Sequence, residues 1–333
     1  MPRKPILLHY YITNRCNARC RFCTIWSEQP KKDAQTVDVL RNLADARMSG
    51  CRFVDFTGGE PLLHPDLPRY LSAAKKLGFI TSVTTNCILF AQRAAELTGC
   101  IDLLHFSVDA ATATAHDEIR GSASYETVLE SIPLALQLGM VPDLLFTYTD
   151  YNINEIEGVY NLARKNRLML ILDPVFSTTG PDTIASATHE KAERFSRKPG
   201  VYLNRAHLTL RRYGGNRIRN PLCKAVTSTI VISPDNHRLL PCFHHRMMQV
   251  PFGKQSETIA TTVQSARAME GKYPFCEGCH INCYFDPSYN YMLNRLFFQS
   301  LNAKFSYIIM KYVVYAHFNS LIGYFKPKRR FPD

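Results

Sequence analysis

The chain has 333 residues, of which 46% are hydrophobic and 20% are charged. These fractions are ordinary for a globular protein and exclude a wholly disordered or collagen-like chain. Lysine and arginine outnumber aspartate and glutamate by 40 to 28, and the resulting charge of +12 favours anionic surfaces or substrates. The N-terminus does not resemble a secretory signal, so we expect a cytoplasmic protein whose 11 cysteines are metal ligands or core residues rather than disulfides.

The first half of the chain alternates between apolar runs typical of strands and patterns typical of helices. Such alternation indicates a parallel α/β sheet built from right-handed βαβ units. Six units are too few for a closed eight-stranded barrel, so we predict a partial (β/α)6 barrel of the TIM type, with its functional groups at the C-terminal strand ends. The predicted strands are 6–12, 51–56, 79–84, 101–108, 143–148 and 168–175, and the clearest predicted helices are 37–48, 67–77, 125–138 and 153–165.

Composition divides the rest of the chain into three further parts. After a core predicted over residues 1–178, residues 179–222 are polar and arginine-rich and are predicted to be a connector. Residues 223–285 contain five cysteines and a hairpin pattern at 229–240, which predicts a small cysteine-rich cluster domain. Residues 286–333 predict an aromatic helical tail that ends in a basic cluster.

Three cysteines, Cys16, Cys20 and Cys23, stand close together directly after the first predicted strand. Three thiolates at this spacing can hold three irons of a [4Fe-4S] cubane and leave the fourth iron open to an exchangeable ligand. A zinc site would need a fourth ligand nearby, and no Cys or His occurs in the 25 residues that follow Cys23. The spacing therefore predicts a cluster with one open iron.

A second motif, Thr57-Gly58-Gly59-Glu60-Pro61, follows the second predicted strand. Paired glycines allow backbone groups to approach a ligand closely, which points to a binding loop. Polar residues also follow the third and fourth predicted strands and occur in the segment after them. Because parallel strands end at one edge of the barrel, one ligand could contact all of these positions, namely Asn86, Ser107, Asp109 and Arg120.

The cysteine triad, with Phe22 before its last cysteine, and the Gly-Gly-Glu-Pro loop together resemble the radical S-adenosylmethionine (radical SAM) superfamily over about residues 5–175. The resemblance implies that S-adenosylmethionine chelates the open iron. One electron, from a donor such as flavodoxin or ferredoxin, would then cleave it to a 5′-deoxyadenosyl radical that removes a hydrogen atom from a substrate. It also implies a cofactor site formed by Phe22, Gly58, Gly59, Glu60, Asn86, Ser107, Asp109 and Arg120.

Five late cysteines follow this core. They resemble the auxiliary-cluster extensions called SPASM or twitch domains, although the pattern lacks the full set that holds two clusters. The resemblance implies one auxiliary [4Fe-4S] cluster with one cysteine to spare, and Cys283 is the most doubtful ligand. A structural zinc site stays open as an alternative, because four cysteines around zinc use the same spacings. The five are Cys223, Cys242, Cys276, Cys279 and Cys283.

The aromatic tail carries a single formal charge, Lys311, between residues 305 and 325, and a basic cluster follows at 326–330. The length could span a bilayer, yet its polar residues favour an interfacial helix with the basic cluster against anionic lipid. The other interpretation is a helix packed over the barrel mouth. Nucleic acid is not expected as a partner, because no nucleic-acid motif accompanies the positive charge.

We therefore expect a radical SAM enzyme that acts on a hydrophobic or membrane-associated small molecule, such as a lipid, an isoprenoid or a tetrapyrrole, by hydroxylation or C–C bond formation. One alternative is a peptide-modifying radical SAM/SPASM enzyme. Another is a non-enzymatic iron–sulfur or zinc scaffold or sensor, which would need neither the Gly-Gly-Glu-Pro loop nor Ser107 and Asp109. The expected location is the cytoplasm, with peripheral association at the inner membrane surface as an option.

Overall fold

The computed structural model describes residues 4–178, 182–254 and 256–315. Ten strands form one sheet in the order β10-β9-β8-β1-β2-β3-β4-β5-β6-β7. Neighbours from β8 through β1 to β7 are parallel, whereas β8, β9 and β10 are joined by antiparallel pairing. The strands are β1 Leu7–Thr13, β2 Phe53–Gly58, β3 Ile80–Thr85, β4 Leu103–Ser107, β5 Asp143–Tyr148, β6 Leu170–Pro174, β7 Val201–Tyr202, β8 Thr229–Ile232, β9 His237–Pro241 and β10 Arg246–Pro251.

Helices connect the parallel strands and cover their outer face. The final helix continues into a π-helical segment, Ile309–Tyr315. The α-helices are α1 Thr36–Ser49, α2 Leu67–Lys76, α3 Phe90–Leu97, α4 Ala113–Arg120, α5 Tyr125–Gln137, α6 Ile156–Asn166, α7 Ser186–Phe195, α8 Arg205–Arg212, α9 Ala225–Ser228, α10 Glu257–Ala268, α11 Asn282–Ser288 and α12 Arg295–Ile308.

The predicted α/β class and the parallel sheet are confirmed, and β1 to β6 coincide with the six predicted strands. Side chains alternate between the two faces of each strand. Leu8, Tyr10 and Ile12 of β1 are fully buried in the core that the helices complete. His9 and Tyr11 therefore point to the opposite face, which is the interior of the partial barrel.

The segment predicted as a connector, residues 179–222, contains helices α7 and α8 and the short strand β7. Strand β7 has only two residues, which is too short to show a hydrophobic period in the sequence. The hairpin pattern at 229–240 forms β8 and β9, and β10 adds a third strand. Strand β8 also pairs in parallel with β1, a long-range contact that no local pattern could indicate.

The described part of the tail packs against the end of the barrel opposite to the cysteine triad. The Tyr307 hydroxyl donates to Asp143 Oδ2 at 2.6 Å, and Lys311 Nζ lies 2.8 Å from both carboxylate oxygens of Asp143. Asp143 is the first residue of β5, so this helix covers N-terminal strand ends and not the C-terminal mouth. Residues 316–333, including Lys326, Lys328, Arg329 and Arg330, lie outside the described residues.

Within the described ranges, every helix falls short of the length and apolarity that crossing a bilayer requires. The anchor of the last helix is instead ionic, since the side chains of Lys311 and Asp143 are 3% and 0% exposed. Burial of His105 beside this pair lowers its pKa, which keeps the imidazole uncharged next to the lysine. The Lys311–Asp143 pair thus fastens the tail to the base of the barrel.

We predict that Lys311→Met lowers the free energy of unfolding by about 3–5 kcal/mol, because it leaves the Asp143 carboxylate buried without its cation. The measurement is chemical denaturation followed by circular dichroism. Lys304→Met is the matched control, since Lys304 pairs with Asp286 at 3.2 Å near the surface and such pairs contribute about 0–1 kcal/mol. Equal losses in the two variants would contradict a buried anchor.

Candidate active site

The loop after β1 carries the cysteine triad, and the loop after β2 holds it in place. Gly59 N–H donates to Thr13 O at 2.9 Å, and Glu60 N–H donates to Arg15 O at 2.8 Å. A Cβ on Gly58 would lie 1.9 Å from Thr13 O, and a Cβ on Gly59 would lie 1.9 Å from Arg15 O. The paired glycines are therefore required by the contact between these two loops, in addition to any approach to a ligand that the sequence suggested.

Glu60 ties the same loop to the end of β3. Its buried carboxylate accepts hydrogen bonds from Thr85 Oγ1 at 2.8 Å, Asn86 N at 2.8 Å and Leu62 N at 3.1 Å. Burial raises the pKa of Glu60, and these hydrogen bonds oppose the rise. Asn86 in turn donates through Nδ2 to Asn17 Oδ1 at 2.7 Å, which brings the end of β3 against the triad loop.

Arg120, the last residue of α4, contacts the triad directly. Its Nη1 donates to Cys20 Sγ at 3.3 Å, and its guanidinium lies 5.9 Å from the centre of the Phe22 ring. The backbone carbonyl of Arg120 also accepts from Arg19 N at 2.9 Å. The guanidinium thus places a fixed positive charge beside a cysteine whose ligand form is the thiolate.

Asp109 holds the Arg120 guanidinium through its Nε, while Nη1 faces Cys20. Its carboxylate is fully buried, lies 2.7 Å from Arg120 Nε, and accepts from Thr147 N at 2.9 Å. Burial raises the pKa of Asp109, while the charge of Arg120 acts in the opposite direction. Ser107, the last residue of β4, is also buried and lies two positions before Asp109. The structure thus connects Glu60, Asn86 and Arg120 to the triad loop, joins Asp109 to Arg120, and places Ser107 at the end of the neighbouring strand β4.

Two of the triad thiols, Cys16 and Cys23, hold their protons more tightly than a free cysteine does. Burial raises the pKa of Cys16 to about 11 and also raises that of Cys23, and the nearby thiols add to the effect. Metal coordination removes the proton from a thiol outright. The triad therefore suits a cationic group such as an iron–sulfur cluster, which would hold all three sulfurs as thiolates.

A second cysteine site lies in the C-terminal part of the chain. A small cavity there is lined by four of the five late cysteines, together with Tyr284, Phe285 and other largely apolar neighbours. Burial raises the pKa of Cys242 to about 12 and that of Cys276 to about 11. Four buried thiols around one cavity fit a cluster that requires four cysteine ligands. The lining cysteines are Cys223, Cys242, Cys276 and Cys279.

Cys283 does not belong to that lining. Its Sγ lies 4.0 Å from His244 Nε2, and its backbone carbonyl lies 3.5 Å from His9 Nε2 in the barrel interior. The sequence favours Cys279 over Cys283 as a ligand but leaves an exchange of the two open, because both stand in the same short cysteine run. The first turn of α11 separates them, since it directs Cys283 toward the barrel.

One apolar cluster joins the two cysteine sites. It contains Cys23 of the triad, Cys242 of the cavity, and the rings of Tyr11 and Phe243 between them. These two rings are stacked, with centroids 3.8 Å apart and an interplanar angle of 2°. Sequence reasoning missed Tyr11 and Phe243, although each stands close in sequence to a predicted cysteine ligand.

Residues 10–163 match the sequence profile described as the Radical SAM superfamily. Residues 10–163 are a radical SAM domain. The match covers β1 to β5 and most of α6, so it includes the triad loop and every cofactor residue named above. The late cysteines lie outside the matched residues.

Curated relatives agree over the same region. A GTP 3′,8-cyclase from Clostridium botulinum is 28% identical over 172 residues, which are 49% of this chain and 54% of that protein. A GTP 3′,8-cyclase from Peptoclostridium acidaminophilum is 32% identical over 188 residues, which are 50% and 58%. The chain thus spans about half the length of the curated relatives it matches.

Solved structures extend the likeness of fold beyond the radical SAM domain. Streptococcus suis SuiB bound to S-adenosylmethionine superposes with a TM-score of 0.66 at 16% identity, over 88% of this chain and 77% of that one. SuiB has also been solved bound to its precursor peptide SuiA, with a TM-score of 0.60 at 16% identity, over 80% and 65%. At this identity the likeness shows the fold, and it agrees with the predicted partial barrel.

We predict that Gly59→Ala prevents the radical SAM domain from assembling its cluster, because the new Cβ would overlap Arg15 O and displace Cys16. After anaerobic reconstitution, total iron should fall to the amount held by the Cys16/Cys20/Cys23 triple alanine variant. Gly139→Ala is the control for a glycine substitution without an overlap, since a Cβ there would be strained locally by the φ of +77° but would meet no atom within 4 Å. Full iron content in Gly59→Ala would contradict the role assigned to the close contact between the two loops.

Proposed function

We propose that this chain is a radical SAM enzyme with a [4Fe-4S] cluster on Cys16, Cys20 and Cys23. The observation that carries the proposal is the fastening of the triad loop by three neighbouring segments within a radical SAM domain. When bound, cluster and S-adenosylmethionine together supply one-electron cleavage of the cofactor and removal of a hydrogen atom from the substrate. An electron donor such as flavodoxin or ferredoxin would supply the electron.

The protein's own contribution is position and charge. Arg120, held by Asp109, keeps a positive charge beside Cys20, and this charge offsets part of the negative charge of a thiolate-ligated cluster. Glu60 fixes the glycine loop that the family resemblance assigns to the cofactor's amino group. The stacked rings of Tyr11 and Phe243 exclude water from one side of the site, which protects a reactive intermediate from side reactions.

The cavity lined by Cys223, Cys242, Cys276 and Cys279 supports a second, auxiliary [4Fe-4S] cluster. Zinc binds four cysteines at about 2.3 Å from one centre. Among the described residues, no three Cys, His, Asp or Glu side chains converge closely enough to hold a single metal ion. The four cysteines of the lining match the ligand number of a cubane, with zinc as the alternative, and with a cubane the C-terminal part would be a SPASM-like or twitch-like domain.

We predict that Cys16→Ala, Cys20→Ala and Cys23→Ala each abolish cleavage of S-adenosylmethionine to 5′-deoxyadenosine, because each loses one cluster ligand. The measurement is anaerobic reconstitution, reduction with dithionite and quantification of 5′-deoxyadenosine. Cys100→Ala is the matched control, since Cys100 packs against the main core away from both sites. Undiminished cleavage in any triad variant would refute the assignment.

The same preparations test the second site. Wild-type protein should hold iron and sulfide for about two cubanes, and the triple triad variant should retain roughly half of each. Cys283→Ala should keep the iron that Cys223→Ala loses, because Cys283 lies outside the cavity. One zinc and no sulfide in the triple triad variant would make the late cysteines a structural zinc site.

A second proposal concerns attachment to a membrane surface. The outer face of α12 and the π-helical segment carries a stripe of large exposed apolar side chains. The inner face carries the buried Ser300 and Lys311, so the stripe points away from the barrel. In the sequence, the basic residues at 326–330 follow this helix, and they would complement anionic lipid. The stripe comprises Phe298, Leu301, Phe305, Ile308, Ile309, Tyr312 and Val313.

The stripe does not identify the substrate. The helix that carries the stripe packs with its other face against the N-terminal end of β5, whereas the triad lies at the C-terminal strand ends, so a bilayer on the stripe would be at the far end from the site. The tail therefore supports an attachment surface only. The position of the tail gives no support to the expected hydrophobic or lipid-like substrate, which stays a prediction. A peptide and a guanine nucleotide are the other classes, from the names of the similar proteins.

We predict that the Phe298→Ser/Phe305→Ser double variant binds vesicles of anionic phospholipid at least about tenfold more weakly than wild type, because it removes apolar area from the interface. The measurement is co-sedimentation with vesicles at low salt. Substituting serine for the exposed Val37 and Met48 of α1 is the matched control. Wild-type protein that stays in the supernatant at low salt would refute membrane attachment.

A further inference from the structure

The interior of the partial barrel carries polar and charged side chains. Two histidines and three aspartates occupy inward-facing strand positions, where the pairing register sets His9 beside Asp55 and His105 beside Asp143. The side chains of Asp55 and His9 are 20% and 11% exposed, although both lie in the interior of their strands within the sheet. Both side chains therefore keep solvent-accessible surface that a ligand could contact.

Among the described residues, two of these carboxylates have no lysine or arginine within ion-pair distance. Asp143 is neutralised by Lys311 at the base of the barrel. Asp55 is 3.1 Å from the His9 imidazole, and Asp173, at the end of β6, accepts a hydrogen bond from the side-chain amide of Asn282. Arg211, whose charge acts on Asp173, forms its ion pair with another carboxylate.

Arg211 lies near Asp173 but makes a two-pronged ion pair with Asp182, with both nitrogen–oxygen distances at 2.5 Å. Its side chain is only 1% exposed. The strands β1 to β6 are fully described, and their inward-facing positions include no arginine or lysine. The inward-facing positions of these strands are therefore acidic, and they carry none of the cations with which proteins bind phosphate groups.

The first turn of α11 links the two carboxylates. Asn282 donates to Asp173, and the carbonyl of the next residue, Cys283, faces His9, which is paired with Asp55. The side-chain oxygen of Asn282 is buried and has no hydrogen-bond donor among the described residues. A ligand that brings both positive charge and N–H donors would satisfy the carboxylates and this oxygen together.

We propose that the barrel interior binds a protonated amine of the substrate between Asp55 and Asp173. This inference concerns the chemical class of the substrate. It rests on the proposed function only in treating the bound amine as a substrate of a radical SAM enzyme. A nucleoside triphosphate does not fit, because its phosphates would meet two carboxylates and no arginine or lysine on the inner strand faces. The amine could belong to a free metabolite or to a lysine side chain of a peptide, and the two sources share this chemistry.

The charge states support the same conclusion. Burial alone would raise the pKa of Asp55, but the hydrogen bond and the charge interaction with His9, together with a hydrogen bond from Ser82, hold it below its ordinary value, so Asp55 is ionised at neutral pH. Burial raises the pKa of Asp173 to about 6, against the opposing hydrogen bond from Asn282. Most Asp173 side chains are therefore also ionised near pH 7.5.

The experiment is titration calorimetry of unreduced holoprotein with S-adenosylmethionine present and without dithionite. Putrescine is the amine probe, and 1,4-butanediol of the same chain length is its uncharged counterpart. A blocked peptide with a central lysine is compared with the same peptide carrying norleucine. GTP is the anionic probe. We expect putrescine or the lysine peptide to bind at least about tenfold more tightly than the uncharged counterpart and GTP.

Asp55→Asn and Asp173→Asn should each weaken amine binding by about tenfold or more, since each removes one charge-assisted contact. Asp38→Asn on α1 is the control, because Asp38 pairs with the exposed Arg41. The order of binding among the wild-type probes tests the proposal even if one variant fails to fold. Tighter binding of the lysine peptide than of putrescine supports the proposal and assigns a peptide source, and the reverse assigns a free amine.

Binding of GTP or of 1,4-butanediol as tight as that of putrescine would overturn the proposal. Amine binding that is unchanged in both asparagine variants would overturn it as well. The proposed function fails separately, if wild-type protein reduced with dithionite forms no 5′-deoxyadenosine in the absence of any amine. Calorimetry without reductant does not depend on that cleavage, so the two failures are distinguishable.

Discussion

The loop between β1 and α1 must carry three thiols in one fixed arrangement, and it has no α-helix or strand of its own to hold them. Its backbone instead depends on contact with the glycine pair after β2, where a single added carbon would overlap a carbonyl oxygen. Glu60 joins the glycine loop to the end of β3 by a hydrogen bond from Thr85, and the backbone carbonyl of Arg120 in α4 accepts a hydrogen bond from the triad loop. The arrangement of the site is thus a consequence of backbone packing between neighbouring strand ends.

The two ends of the barrel differ in the residues that cover them. At the N-terminal strand ends, Lys311 and Tyr307 neutralise and cover Asp143, so the last helix closes the base with a buried ion pair. At the C-terminal ends, the polar residues surround the triad. Because the last helix covers the N-terminal end of β5, we expect a substrate to approach from the cluster end.

Helix α11 connects the two proposed cluster sites with the barrel interior. Tyr284 and Phe285 line the cavity of the late cysteines, while Asn282 and Cys283 contact the barrel. A helix of seven residues places these groups on different sides of one short element. The same element therefore separates a cysteine that lines the cavity from one that does not, and it completes the wall of the acidic interior.

The sequence by itself determined the α/β class, the six parallel strands and the chemistry of the triad, because hydrophobic period, glycine positions and cysteine spacing are local properties. It also grouped Cys223, Cys242, Cys276 and Cys279, although only the cavity brings them together. The tertiary structure alone decided that Lys311 is a buried anchor at the base of the barrel, and that Asp55 and Asp173 face one interior. Those features arise from pairs such as Lys311 with Asp143 that are far apart in the chain, so only packing of the whole sheet brings them into contact.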